Sequence, residues 1–162
     1  MLSIYTLPDE MLRRTSVPVA DIDGEIKKLA EEMIEAMHVG NGIGLAGAQV
    51  GVLKRLFVVH VNRDKPRVFI NPTVVETSID EYDYEEGCLS IPGVYADVRR
   101  PQSVKIQAWD ERGRPFNLDA DGVLARVIQH EYDHLNGVLF LDYLSDRKRD
   151  KLLRQYDRMA RV

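Results

Sequence analysis

Residues 123–137 read Val-Leu-Ala-Arg-Val-Ile-Gln-His-Glu-Tyr-Asp-His-Leu-Asn-Gly, and the placement of this stretch decides the fold. Val123, Val127, His130 and His134 recur at the spacing of one α-helical face, and Leu124, Ile128, Glu131 and Leu135 form the stripe beside it. The pattern predicts a helix from Asp119 or Asp121 to Asn136, closed by Gly137. Three ionisable side chains thus stand where the apolar pattern turns inward. Burying them unpartnered would cost on the order of several kcal/mol. A metal ion removes that difficulty. Histidines at i and i+4 lie one turn apart and reach one cation, while Glu131 lies within reach of a water on it.

Working outward, an earlier helix is predicted to start at Asp21 or Asp23 and end at Gly40, burying Ile26, Leu29, Ala30, Met33, Ile34 and Met37. Gly42–Gly51 reads as a Gly/Ala-rich loop. Strands are predicted at 56–61, 67–70, 73–76, 94–98, 104–109 and 115–118, with a hairpin turn at Asp110–Gly113. A last helix covers Ser145 to about Arg161, with Leu152, Leu153, Tyr156, Met159 and Ala160 on its apolar face, and a short strand is expected before it. Helix, strands, helix, short strand, helix is an α+β order: mixed or antiparallel strands packed around a central metal-binding helix.

The length of 162 residues suits one domain, residues 1–162. With 44% hydrophobic and 30% charged residues, neither disorder nor a membrane protein is indicated. The N-terminus breaks its apolar run at Pro8, Asp9 and Glu10, and does not read as a signal peptide. One cysteine forms no internal disulfide, so a reducing compartment is expected. The net charge of −4 argues against bulk or sequence-specific nucleic-acid binding. Residues 145–162 nevertheless carry a surplus of Lys and Arg. Such a run is most often a solvated helix face; it also suits contact with a polyanion.

The single cysteine lies in Glu86-Gly87-Cys88-Leu89-Ser90. A lone cysteine is more often a small buried hydrophobe, but this one follows a Glu-Glu-Gly turn. A thiolate with two imidazoles suits zinc or ferrous iron and leaves a fourth position open, as catalytic sites do. His38 and His60 have no motif around them and read as structural. In Gly42–Gln49, glycines allow close backbone approach, and Gln49 offers an amide donor for a developing oxyanion. Two other readings share these residues: a zinc peptidase, and a binding module with a structural metal. The cysteine weighs against the first and the missing fourth ligand against the second.

Three blocks in order, Gly42–Gln49, Glu86–Ser90 and His130–His134 followed by Leu135-Asn136-Gly137, resemble the peptide deformylase family, and the resemblance covers most of the chain. It implies a metal-dependent hydrolase that removes the formyl group from N-terminal formyl-methionine of new proteins and releases formate. It implies Cys88, His130 and His134 as ligands of one divalent ion, Fe(II) or Zn(II) with Ni or Co as substitutes. Glu131 would be the general base and acid acting on metal-bound water. Gln49 and the Leu89 N–H would hold the oxyanion, and backbone near Gly44 would align the peptide. Ile43 and Val127 would line the methionine pocket, and Glu86 would stand behind the ligands, paired with Arg100. N-formylmethionyl nascent chains, and the ribosome through the basic last helix, are the implied partners. No membrane is implied, and the setting is the bacterial cytoplasm or an organelle. Gly47-Ala48 departs from the family's usual Ala at the first of these positions, which is expected to loosen the loop holding Gln49.

Overall fold

The computed structural model describes residues 2–160. Its elements are α1 (Gly24–Val39), β1 (Gly44–Ala46), β2 (Leu56–Val59), β3 (Arg67–Thr77), β4 (Glu81–Cys88), β5 (Ile91–Pro101), β6 (Ser103–Trp109), β7 (Pro115–Asp121), α2 (Gly122–His134) and α3 (Asp146–Ala160). The strands form a five-stranded sheet of order β1-β2-β3-β6-β7 and a separate β4-β5 pair, and every strand pairing is antiparallel. The α+β expectation is met.

The sheet lies between α1 and α2, and β2 shows why. Its four residues, Leu-Phe-Val-Val, are all buried, because alternate side chains face opposite layers. Leu56 and Val58 pack with Ile26, Ala30, Met33 and Met37 of α1. Phe57 and Val59 pack with Val127, Ile128 and Leu135 on or just after α2. Phe57 also stacks on Phe69 of β3 with ring centroids 4.8 Å apart. Each such side chain contributes about 1.5–3 kcal/mol on burial. A third apolar cluster joins β5 to the end of the chain: Ile91, Val94 and Val98 meet Phe140, Leu141 and Tyr156.

Asp23 caps α1, accepting from the Ile26 N–H at 3.1 Å. The central helix starts later than the pattern suggests. Residues 119–121 continue β7, pairing Asp119 with Lys105 and Asp121 with Ser103. Gly122, at φ +60°, then turns the chain into α2. Edge pairing along all of β6 takes those residues from the helix. The predicted strands at 67–70 and 73–76 are one strand, β3, with an irregular register around Asn71, whose φ is +49°. The short strand expected before α3 is instead a 3-10 turn, Phe140–Tyr143. Asp142 fixes that turn by accepting from the Leu139 N–H and pairing with Arg13 at 2.6 Å. The expected hairpin turn is present, with Asp110 accepting from Arg112 and Arg114 and Gly113 at φ +79°. Arg161, the expected end of the last helix, lies outside the described residues.

Candidate metal centre

Three elements bring the site together. Within α2, His130, Glu131 and His134 are 8%, 4% and 1% exposed, so the inward register read from the sequence holds. The β4-β5 hairpin delivers Cys88. Its ladder shifts register between Glu86 and Cys88, and a bulge of this kind re-aims the side chain that follows. The 42–51 segment, expected as a loop, contains β1 and a 3-10 turn, Gly47–Val50. That turn places Gln49, 1% exposed, beside the cysteine.

The candidate ligand atoms of Cys88, His130 and His134 lie within 4.8 Å of one another. The Cys88 sulfur is 3.4 Å from His134 Nε2. His130 donates from Nδ1 to Glu86 Oε1 at 2.9 Å, which leaves Nε2 to face the cysteine and orients the ring, as metal-binding imidazoles require. Burial and the neighbouring His130 hold His134 well below the ordinary histidine range, so it is neutral and able to ligate. For His130, burial favours the neutral ring, but hydrogen bonds with Cys88 and Glu86 outweigh it and raise the group. A cation bound there would therefore compete with a proton. One soft thiolate and two imidazoles around a gap of this size fit a single divalent ion.

Glu86 anchors a buried charge cluster behind the ligands. It accepts from Arg100 Nε at 2.6 Å and Nη2 at 3.0 Å, and from Arg126 Nη1 at 2.9 Å. Arg100 reaches on to Asp133 at 2.8 Å, which also accepts from the Tyr143 hydroxyl at 2.7 Å. Burial opposes ionisation of Glu86, but bonds from His130 and Arg100 win and pull its carboxyl to about 2. The expected Glu86–Arg100 pair is thus present. Arg126, its second partner, was not anticipated. Its spacing, four residues before His130, puts it on the histidine face.

Glu131 differs from Glu86. Its Oε2 is 4.0 Å from His130 Nε2, and Oε1 is buried with no hydrogen-bond partner among the described residues. Burial raises this carboxyl to about 7. Gln49 accepts from the Ala46 N–H at 2.9 Å. Its amide donates to the Ser90 hydroxyl at 3.0 Å and points at the Cys88 sulfur at 3.5 Å. Space at Gly47 is tight: a Cβ there would meet the Val52 and Lys54 carbonyl oxygens at 2.7 and 3.0 Å. Gly44 is tighter still, since a Cβ would lie 2.5 Å from Glu131 Oε2 and 2.7 Å from Val127. Leu89 packs its side chain against Gly40 and Gly42. His38 and His60, read as structural, hydrogen-bond to each other at 2.8 Å.

A cavity of about 510 Å³ opens beside these residues, lined among others by Ile43, Gly44, Gln49, Cys88, Leu89, Val127, His130 and Glu131. β1, an edge strand of its sheet, forms one wall.

The sequence model of the polypeptide deformylase family matches residues 1–150. A peptide deformylase of Rhizobium meliloti is 48% identical over 163 aligned positions, covering 98% of this chain and 94% of that protein. One from Borreliella burgdorferi is 49% identical, covering 93% and 92%. The crystal structure of the Ehrlichia chaffeensis peptide deformylase in complex with actinonin superposes with a TM-score of 0.96 at 41% identity, covering 100% of this chain and 99% of that one. The Thermotoga maritima peptide deformylase gives 0.87 at 40% identity, covering 90% and 98%.

Proposed function

This chain belongs to the polypeptide deformylase family, whose members are hydrolases that remove N-terminal formyl groups from nascent peptides, and from that premise we propose how its own residues perform the reaction. The convergence of Cys88, His130 and His134 beside a buried, unpartnered Glu131 carries the reading. Those three side chains hold one divalent ion, Fe(II) or Zn(II). When bound, such an ion supplies Lewis acidity, lowering the pKa of water and polarising a carbonyl.

The remaining steps belong to protein groups. The substrate lies along the free edge of β1, its backbone pairing near Gly44 as an added strand. Glu131 takes the proton of the attacking water on its carboxylate and returns it to the departing amine nitrogen. A carboxyl raised to about 7 by burial exchanges protons readily near neutral pH. As the formyl carbon becomes tetrahedral, its oxygen accepts from Gln49 Nε2 and the Leu89 N–H. The C–N bond breaks, releasing formate and a free amine. The close approach of Gly44 to Glu131 and Val127 leaves little room beside the reacting carbon. A formyl group carries only hydrogen there and fits, whereas a bulkier acyl group is excluded.

We take residues 1–162 as one catalytic domain, acting where formylated chains are made, the bacterial cytoplasm or an organelle. Among the described residues no helix is long and apolar enough to cross a membrane. The basic face of α3 is proposed to meet the ribosome. Tyr156 of α3 is buried and donates to the Leu7 carbonyl at 2.7 Å, so deleting the helix would damage the fold. Charge reversal at Lys148, Lys151 and Arg154 is the cleaner test, and ribosome co-sedimentation unchanged by it would refute the contact.

Metal content and turnover measured together test the mechanism. Glu131→Ala is expected to bind one equivalent of metal and lose turnover of a formyl-Met tripeptide. Loss of the metal would make Glu131 a ligand instead.

A further inference from the structure

Leu89 and Ser90 turn β4 into β5, between the paired residues Cys88 and Ile91. That hairpin is a sheet of its own, so its tip is fixed by contacts and not by a shared ladder. Two hydrogen bonds hold Ser90: its hydroxyl accepts from Gln49 Nε2 at 3.0 Å, and its carbonyl accepts from the Leu7 N–H at 2.9 Å. Leu89 is held differently. Its side chain packs against the apolar cluster of α1 and enters the turn that follows that helix. A Cβ on Gly42 would lie 2.6 Å from Leu89 Cδ1 and 3.1 Å from Cγ, and one on Gly40 would lie 3.2 Å from Cδ2.

Neither glycine serves backbone freedom. Gly40 has φ −81°, and Gly42 is not among the residues of positive φ, so neither holds the left-handed backbone that favours glycine. What both positions supply is the space that Leu89 fills. The floor of this socket is tied to α1: the Gly40 N–H donates to the Ala36 carbonyl at 3.1 Å, and the Gly42 N–H to the Met37 carbonyl at 2.9 Å. Resting on the reading that the Leu89 N–H holds the developing oxyanion, we propose that the Leu89 side chain, seated between Gly40 and Gly42, is the positioning group that aims that N–H. The donor belongs to the backbone, and its direction follows from where the side chain of the same residue is anchored. A methyl group in the socket pushes Cδ1 out by about 1 Å, toward an ordinary contact of about 3.5–4.0 Å. Oxyanion donors act through fixed placement, and a misplacement of about 1 Å costs up to about a hundredfold in rate.

The test is a double-substitution cycle, read as kcat and KM for a formyl-Met tripeptide on metal-loaded protein. Gly42→Ala is expected to lower kcat about tenfold, with metal at one equivalent and KM within about threefold. Leu89→Ala keeps the N–H and removes its anchor, so kcat should again fall about tenfold. Added to Leu89→Ala, Gly42→Ala meets no isobutyl group and should cost less than about twofold. Two losses that multiply would overturn the proposal, as would a kcat that either substitution leaves unchanged. A loss confined to KM would also overturn it, and would make Leu89 a wall of the cavity. Where Gly42→Ala fails to fold, Gly40→Ala repeats the cycle through its milder contact, with about a threefold loss in kcat alone and none beside Leu89→Ala. The unsubstituted enzyme separates the two ways of failing. No formate from it would overturn the deformylase reading and this proposal with it. Formate from it, with losses that multiply, would overturn the proposal alone.

Discussion

Replacing Glu86 by glutamine removes one negative charge from between Arg100, Arg126 and His130. The carboxylate receives four hydrogen bonds of 2.6–3.0 Å from these groups and is 5% exposed. Breaking a buried ion pair from one side costs about 3–5 kcal/mol, which is the expected loss at neutral pH. Part of that loss depends on pH in a calculable way. The Glu86 carboxyl falls from an ordinary 4.5 to about 2 in the folded protein. A lowered folded pKa stabilises fully above the unfolded value and is lost as pH falls through the folded one. Displacement over that window corresponds to about 3 kcal/mol in all, of which about 2 kcal/mol is lost by pH 3. The assay is urea unfolding of chelator-treated protein at pH 6 and pH 3, with and without Glu86→Gln. The stability gap between the two proteins should narrow by about 2 kcal/mol at the lower pH. A gap that stays constant would refute an ionised Glu86 as the anchor of the cluster.

Three further substitutions probe the walls of the site. Gly44→Ala forces a methyl group against Glu131 and Val127, and overpacking of about 1–3 kcal/mol should lower kcat/KM roughly tenfold to a hundredfold with an unchanged far-UV spectrum; full activity would mean β1 yields freely. Gly47→Ala, although alanine is the commoner family residue, should destabilise this chain by about 1–3 kcal/mol in thermal or urea unfolding, because the Val52 and Lys54 carbonyls occupy the space. Gln49→Ala should reduce kcat about 10²- to 10³-fold while metal content stays at one equivalent; a loss confined to KM would place Gln49 in substrate binding rather than at the oxyanion.

The central helix and its inward-facing His130, Glu131 and His134 were legible in the sequence because both depend on local spacing. His130, Glu131 and His134 follow from a 3.6-residue period, and the buried positions agree with it. The later start of α2 was hidden because residues 119–121 choose between helix and strand, and the choice is made by distant β6. β4 went unrecognised because four of its eight residues are exposed and four are acidic. The alternation Tyr82-Asp83-Tyr84 was the available signal, and Tyr82 supports Arg126 from that strand. Arg126 was missed for a related reason. A buried cation is legible only once its acceptors are known, and Glu86, Val98 and Tyr82 lie 28 to 44 residues away in sequence. The crowding around Gly47 was not legible, since the carbonyls that surround it belong to the segment after its turn.

Release of formate from a formyl-Met tripeptide, quantified against the free amine that appears, tests the account most directly. With ferrous, nickel or zinc ion loaded, the two products should rise in equal amounts and the peptide bonds should remain whole. No formate with any of these ions, or cleavage of the unformylated peptide, would contradict it.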